Sequence, residues 1–259
     1  MDQKEILRIA RRQSALDLGC GIGDFDRQEN VLVPFSLGPQ ARRYYALPIS
    51  CNFVSYGSNI VAAAIDDLRP LAAEYMGKFK FYHCFEMPNM RWLNRRLEPL
   101  GHQVCFMAEY YLPELSRMEE LPCPYPTRVL TQTDFAPLYL PQWSNALCAK
   151  RRQLDVLGVA AYDGDQLIGL AGCSADCDDM WQIGIDVLPA YRRQGIASAL
   201  TSRLAREILR RGKVPFYCSA WSNIPSVRNA VKSGFIPSWV EMSVKPTDIV
   251  DEMNGDGER

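Results

Sequence analysis

The stretch Gly184–Leu200, GIDVLPAYRRQGIASAL, changes character twice within seventeen residues. Ile183, Ile185 and Val187 alternate with Gln182, Gly184 and Asp186, which predicts a strand with two different faces, and Pro189 ends it. From Ile196 onward the apolar residues Ile196, Leu200, Leu204 and Ile208 fall on one helical stripe that stops at Gly212. Between strand and helix stands a basic glycine turn. Such a turn points the backbone N–H groups of Arg193, Gln194, Gly195, Ile196, Ala197 and Ser198 into one concavity, and the helix adds the positive end of its dipole. Gly195 admits a close ligand, the small Ala197 avoids a clash, and Arg192 and Arg193 add charge-assisted hydrogen bonds. These are the parts of a pyrophosphate cradle.

The surroundings extend the pattern. TRVLT (Thr127–Thr131) reads as a short strand, and Asp134 is placed to cap a helical stretch through Trp143 to Cys148. LDVLGVAAYDGDQLIGLAGCSA reads as a β-hairpin around Asp163-Gly164-Asp165. After the cradle helix come the strand VPFYCSAW, a polar turn, the helix IPSVRNAVKSG ending at Gly234, and a last strand FIPSWVEMSVKP. The tail DEMNGDGER is polar and reads as frayed.

Upstream of Thr127 the prolines Pro113, Pro122, Pro124 and Pro126 exclude a continuous helix. This seam divides the chain into an N-terminal α/β domain (1–121), a linker (122–126), a second domain (127–250) and a tail (251–259). The two halves end alike: an Asn, a helix, a glycine (Gly101 or Gly234), then a strand reaching Pro113 or Pro246 at the same distance beyond it. A degenerate internal repeat is therefore an expectation.

Composition narrows the partners. With 29 basic and 30 acidic residues the net charge is −1, so no global field favours nucleic acid or an anionic membrane. No segment has the roughly 18 uninterrupted apolar residues of a membrane span, and the start MDQKEILRIARRQ has no apolar signal core, so a cytoplasmic location is expected. The nine cysteines contain no C-x-x-C, and the histidines are His83 and His102 alone, which leaves no metal site to propose; free thiols of a reducing compartment are the reading.

At the cradle the sequence resembles the GNAT superfamily of acetyl-CoA-dependent N-acetyltransferases. Arg192, Gly195 and Ala197 match the pattern [Q/R]-x-x-G-x-[G/A] between strand and helix, and SNIPSVRNAVKSGF is the second matching piece. The resemblance covers about Thr127 to Pro246. It implies an α/β (α+β) fold with a mixed, mostly antiparallel sheet flanked by helices. It also implies acetyl-CoA as acyl-donor substrate and a primary amine of a small molecule or peptide as acceptor. Ile185 to Val187 would offer main-chain groups to the pantetheine arm, with an N–H near Val187 receiving the thioester oxyanion. Asn223 would contact the cofactor near its thioester end with Ser226 one turn on; both serve equally as helix caps. The first half lacks the cradle pattern.

Acetyl transfer needs a neutral nitrogen, whereas a lysine-type amine has a pKa of about 10.4. Asp186 and Glu241 are the candidate bases, with Asp179 behind them; Asp186 is equally readable as a structural carboxylate paired with an arginine. The helix tyrosine that often serves the family as the acid falls on Ala230 here, so that step lacks its usual donor. Trp143, Tyr139 and Trp221 are readable as an amine pocket or as core. An acyl-CoA-binding module without turnover is the alternative these departures raise.

A second glycine-rich stretch competes. Asp17-Leu18-Gly19-Cys20-Gly21-Ile22-Gly23 reads D-x-G-x-G-x-G and resembles the first motif of S-adenosylmethionine-dependent methyltransferases. That motif needs a strand before its glycines and a crossover helix after them. Here the helix EILRIARRQ precedes it, and seven residues separate Gly23 from the strand VLVPF. The stretch reads as a helix end and glycine turn.

Overall fold

The computed structural model describes residues 1–43 and 48–255. In chain order the elements are α1 (Gln3–Leu18), β1 (Val31–Pro34), β2 (Cys51–Ser55), β3 (Val61–Ala64), α2 (Arg69–Lys78), α3 (Met87–Leu97), β4 (His102–Pro113) and β5 (Thr127–Thr131). There follow β6 (Asp155–Asp163), β7 (Gln166–Ser174), β8 (Met180–Val187), α4 (Ile196–Arg210), β9 (Val214–Ser219), α5 (Ile224–Lys232), β10 (Phe235–Pro246) and α6 (Thr247–Gly255). The described chain divides into two compact units: Met1–Ala10 with Tyr110–Pro237, and Arg11–Glu109 with Ser238–Arg259.

The first unit holds the cradle. β5, β6, β7 and β8 form an antiparallel run, and β9 joins β8 in parallel. The β6–β7 hairpin closes with Asp163 opposite Gln166, where Gly164 takes φ +57°. Period-two burial sorts the strands' side chains. Val159, Ala161, Ala171 and Ile183 face the stripe Ile196, Leu200, Leu204 and Ile208 of α4. Ala160 and Leu170 face a second cluster with Phe135, Trp143, Ala146 and Leu147.

That second cover is not the α-helix expected after Asp134. It is a string of 3-10 turns at Gln132–Asp134, Ala136–Leu138 and Pro141–Trp143. Pro137 and Pro141 remove the N–H groups a continuous helix would need. Asp134 turns back instead, accepting from the Thr131 N–H at 2.8 Å.

In the second unit β1 lies parallel to β3, β3 antiparallel to β2, and β2 antiparallel to β10. Phe53, Ala62, Tyr75, Leu93 and Met242 share its core with residues of α2 and α3. The polar end of the chain is ordered differently from expectation: residues 251–255 continue α6, anchored by the buried Val250, and 256–259 lie outside the described residues. The matching half-ends are visible in the backbone. Gly101 (φ +75°) precedes the 12-residue β4, and Gly234 (φ +91°) precedes the 12-residue β10.

Candidate active site

The parallel ladder between β8 and β9 runs from Met180–Val214 to Ile183–Tyr217. β8 continues to Val187 and β9 to Ser219, so the two strands part beyond Ile183 and Tyr217. β7 still pairs with β8 as far as Gly169–Val187, which keeps the parted end of β8 straight. The cradle follows four residues after this end, beyond the turn Pro189–Tyr191.

Two residues of the cradle are left-handed: Arg193 at φ +66° and Gly195 at φ +83°. Arg193 is the one non-glycine with positive φ among the described residues. A left-handed L-residue costs about 1–2 kcal/mol. The neighbouring contacts hold it there. Arg192 Nε donates to the Val187 carbonyl at 3.0 Å, tying the turn to the strand end. Tyr191 Oη donates to Asp163 Oδ2 at 2.9 Å, and Tyr125 Oη to Gln194 Oε1 at 3.2 Å. Gly195 caps α4, its carbonyl accepting from Ala199 N–H at 3.0 Å and Ser198 Oγ at 3.1 Å. At Gly169 of β7 a Cβ would stand 3.0 Å from Ile196 Cγ2, so the missing side chain lets the mouth of α4 sit close on the sheet.

Sequence reading missed one cation here. Lys232 Nζ lies 4.0 Å from where a Gly195 Cβ would project, so the last turn of α5 brings an ammonium to the glycine of the turn. Its separation from Gly195 along the chain leaves no local signal.

Ile183 packs toward α4 with Ile185 and Val187 against the same cluster, while Gly184 and Asp186 occupy the other face, as alternation predicted. On that face Gly172 and Gly184 are cross-strand neighbours. A Cβ on Gly184 would lie 1.8 Å from the Asn145 carbonyl oxygen, and one on Gly172 2.1 Å from that of Ala146. The 145–147 backbone therefore lies directly on the two glycines. Asp186 fastens it: Oδ2 accepts from the N–H groups of Asn145 (2.9 Å) and Ala146 (3.0 Å), and Oδ1 from Asn145 Nδ2 (2.6 Å). The carboxylate is paired with amides and not with an arginine.

Glu241 is a buried, ion-paired carboxylate. It is buried in the second unit, where Oε1 accepts from Arg42 Nη2 at 2.6 Å and from Trp239 Nε1 at 2.7 Å. Arg42 also ion-pairs with buried Asp17. Burial pushes the Asp17 carboxyl up, against the pull of Arg42. Asp179 pairs with Lys213 at the opposite end of β8 from Asp186.

α5 begins with Asn223 as its cap, Oδ1 accepting from Ser226 N–H at 3.3 Å. Ser226 Oγ shares a 2.8 Å hydrogen bond with Tyr217 Oη. Burial raises the Tyr217 phenol above its ordinary pKa; the Ser226 and Asn229 side chains work against the rise, while Cys218 and Asp186 add to it. Ala230 is fully buried in the same cluster as Tyr217. Of the aromatic candidates for an amine pocket, Trp143 is core, Tyr139 donates to the Arg152 carbonyl at 3.3 Å, and Trp221 is exposed just ahead of α5.

A mixed sheet with a parted parallel pair, followed by a glycine turn at a helix mouth, leaves backbone amides and the positive end of a helix dipole in the position where α/β proteins bind anionic groups. Residues 119–239 match the family model of GNAT acetyltransferases. No curated protein matches the chain. Among solved structures, a GNAT-family acetyltransferase from Novosphingobium aromaticivorans is similar at 17% identity and TM-score 0.43, covering 56% of this chain, which spans 66% of that one. A GCN5-related N-acetyltransferase from Kribbella flavida covers 77% of this chain and 88% of its own at 14% identity and TM-score 0.45. An acetyltransferase from Salmonella typhimurium, solved with acetyl-CoA, covers 49% and 95% at 16% identity and TM-score 0.35. Among the described residues no helix is long and apolar enough to cross a membrane.

Proposed function

We propose that this protein transfers the acetyl group of acetyl-CoA to a primary amine of a small molecule or peptide. The observation that carries the reading is the placement of the left-handed pair Arg193 and Gly195 at the mouth of α4, directly after the strand end that parts from β9. A pyrophosphate fits that turn: the amides of Arg193 to Ser198 and the α4 dipole receive it, with Lys232 beside them. The pantetheine arm then runs along the free side of Ile185 and Val187, and the thioester comes to the crotch between the strands. There an N–H near Val187 takes the developing oxyanion. The strand orients donor and acceptor so that attack is effectively unimolecular. The occupied lone pairs of Asp186 support a nitrogen neutralised by desolvation or solvent in place of a dedicated carboxylate base.

Ala230 favours a second reading, an acyl-CoA-binding module without turnover. Incubating the purified chain with acetyl-CoA and a panel of polyamines, aminosugars and amino-terminal or lysyl peptides, with thiol release and product mass as readouts, separates the two. Acetylation of one acceptor class is the expected result; stabilisation by acetyl-CoA with no acetylation of any class establishes the module. Stabilisation by S-adenosylmethionine and not by acetyl-CoA overturns both.

A further inference from the structure

Tyr217 stands at the last rung of the β8–β9 ladder, where the strands part. Its side chain leaves the sheet on the α4–α5 side, sharing a cluster with Ala230 and Phe235, and its ring lies 6.2 Å from that of Phe235 and 6.3 Å from that of Tyr111. The hydroxyl reaches the face of α5 one turn before Ala230, where it meets Ser226 at 2.8 Å. The phenol is 3% exposed, whereas Ser226 is half-buried, so the serine is the outer end of the pair. A phenol thus reaches the helix face that Ala230 leaves bare, delivered from the neighbouring strand instead of from the helix.

Resting on the acetyl-transfer reading above, we propose that Tyr217, acting through Ser226, supplies the proton that the departing thiol sulfur takes up. The amine nitrogen bonds to the thioester carbon, the carbon–sulfur bond breaks, and its electron pair leaves on sulfur. Sulfur takes the Ser226 proton as Ser226 takes that of Tyr217. The proton shed by the acetylated nitrogen returns through solvent to the phenolate. Amine and acetyl thioester become amide and thiol with no net proton.

Tyr111 on β4 and Ser226 and Asn229 on α5 face the phenol, while Cys218 on its own strand and Asp186, on the far face of β8, act on it through their charge. Asp186 is the charge among them, and it opposes a second negative charge nearby. Burial and that charge both hold the phenol above its ordinary pKa, on the protonated side that a proton donor requires.

The test uses the full chain with Tyr217→Phe, Ser226→Ala, and 3-fluorotyrosine placed at 217. Tyr217→Phe removes one oxygen, and an unchanged melting midpoint verifies its fold. The expected result is a fall in kcat of about 10²-fold or more in Tyr217→Phe, with a smaller fall in Ser226→Ala where water bridges the gap, and a KM for acetyl-CoA held within about twofold. The wild type loses kcat as pH rises through the phenol's pKa. The more acidic fluorotyrosine moves that limb to lower pH, which a purely structural hydroxyl would not do. The fluorine resonance at 217 also shifts when CoA alone is added, a readout independent of turnover. An active wild type whose kcat survives Tyr217→Phe, or an alkaline limb indifferent to fluorination, overturns the assignment and leaves acetyl transfer standing. A wild type that binds acetyl-CoA and acetylates nothing overturns both.

Discussion

Replacing Asp186 by alanine decides whether this carboxylate fastens the 145–147 segment or acts on a substrate. Three donors lose their acceptor: the N–H groups of Asn145 and Ala146 and the amide of Asn145. Asn145 is exposed, so water re-satisfies its donors and the loss there is about 1 kcal/mol. Ala146 is 4% exposed, and its N–H is stranded against the sheet at a cost of about 1–3 kcal/mol. The sum is about 2–4 kcal/mol. At roughly 2–4 °C per kcal/mol for a chain of this size, the melting midpoint falls by on the order of 10 °C. Asp186→Asn keeps one acceptor oxygen, and Asn145 can turn its own oxygen toward the new amide, so about half of that loss is expected.

Scanning calorimetry on the three proteins gives the ranking, and steady-state kinetics well below the lowest midpoint gives the second axis. A fastening role leaves kcat within about tenfold, because acceptor geometry loosens while the reacting groups remain. A general base would cost about 10²–10⁴-fold. An unchanged midpoint in Asp186→Ala combined with a kcat loss above a hundredfold would refute the fastening argument and return Asp186 to the chemistry.

Gly184→Ala puts a Cβ 1.8 Å from the Asn145 carbonyl, so it should destabilise by about 3 kcal/mol or more, read as a lowered urea midpoint. Gly195→Val asks a β-branched residue to adopt φ +83° at the cradle; calorimetric titration should show acetyl-CoA affinity lost, while the open space around Gly195 keeps the ligand-free midpoint within a few degrees. Arg42→Met leaves Asp17 and Glu241 buried without their cation and should cost about 3–5 kcal/mol, seen as an early transition in circular dichroism. Adding Asp17→Asn and Glu241→Gln should recover part of it. Asp155 is buried and its carboxyl is pushed up to about 6, chiefly by burial, against the hydrogen bond from Cys148 N–H. Folding therefore takes up a proton between the unfolded value near 3.8 and about pH 6. Stability falls as pH rises through that window, and Asp155→Asn should flatten this part of the melting profile.

What the sequence made legible was local. The alternation of β8, the stripe of α4 and the turn between them need no partner outside the stretch Met180–Gly212, and each stands as read. What it hid was either non-local or masked by a stronger feature. Glu241 meets Arg42 from 199 positions away, and Lys232 reaches Gly195 across two intervening elements, distances at which no periodicity speaks. Tyr217 sits in an apolar strand and reads as core until Ser226 is placed beside it. Asp134, placed as a cap, suggested a helix after it, but Pro137 and Pro141 forced short turns, and those turns lead to the backbone that lies on Gly172 and Gly184. α6 was obscured by its polar composition, although Asp248 in its first turn and the buried Val250 are the marks of a helix.

The two glycine loops show why letters without placement mislead. Gly19 and Gly195 have nearly the same backbone rotation, φ +71° and +83°. Gly19 follows the last residue of α1, and Cys20 N–H closes back on the Ala15 carbonyl at 3.0 Å. It therefore stands where the helix presents carbonyl oxygens and roughly half a negative charge. An anionic or electron-rich ligand is repelled there, and Asp17 of the same motif is spent on Arg42 inside the second unit. Gly195 precedes the first residue of α4, where unpaired N–H groups and roughly half a positive charge face outward. One rotation thus ends a helix and the other opens one, and the sign of the dipole is what supports the proposal of RRQGIA as a cradle and leaves DLGCGIG a stop.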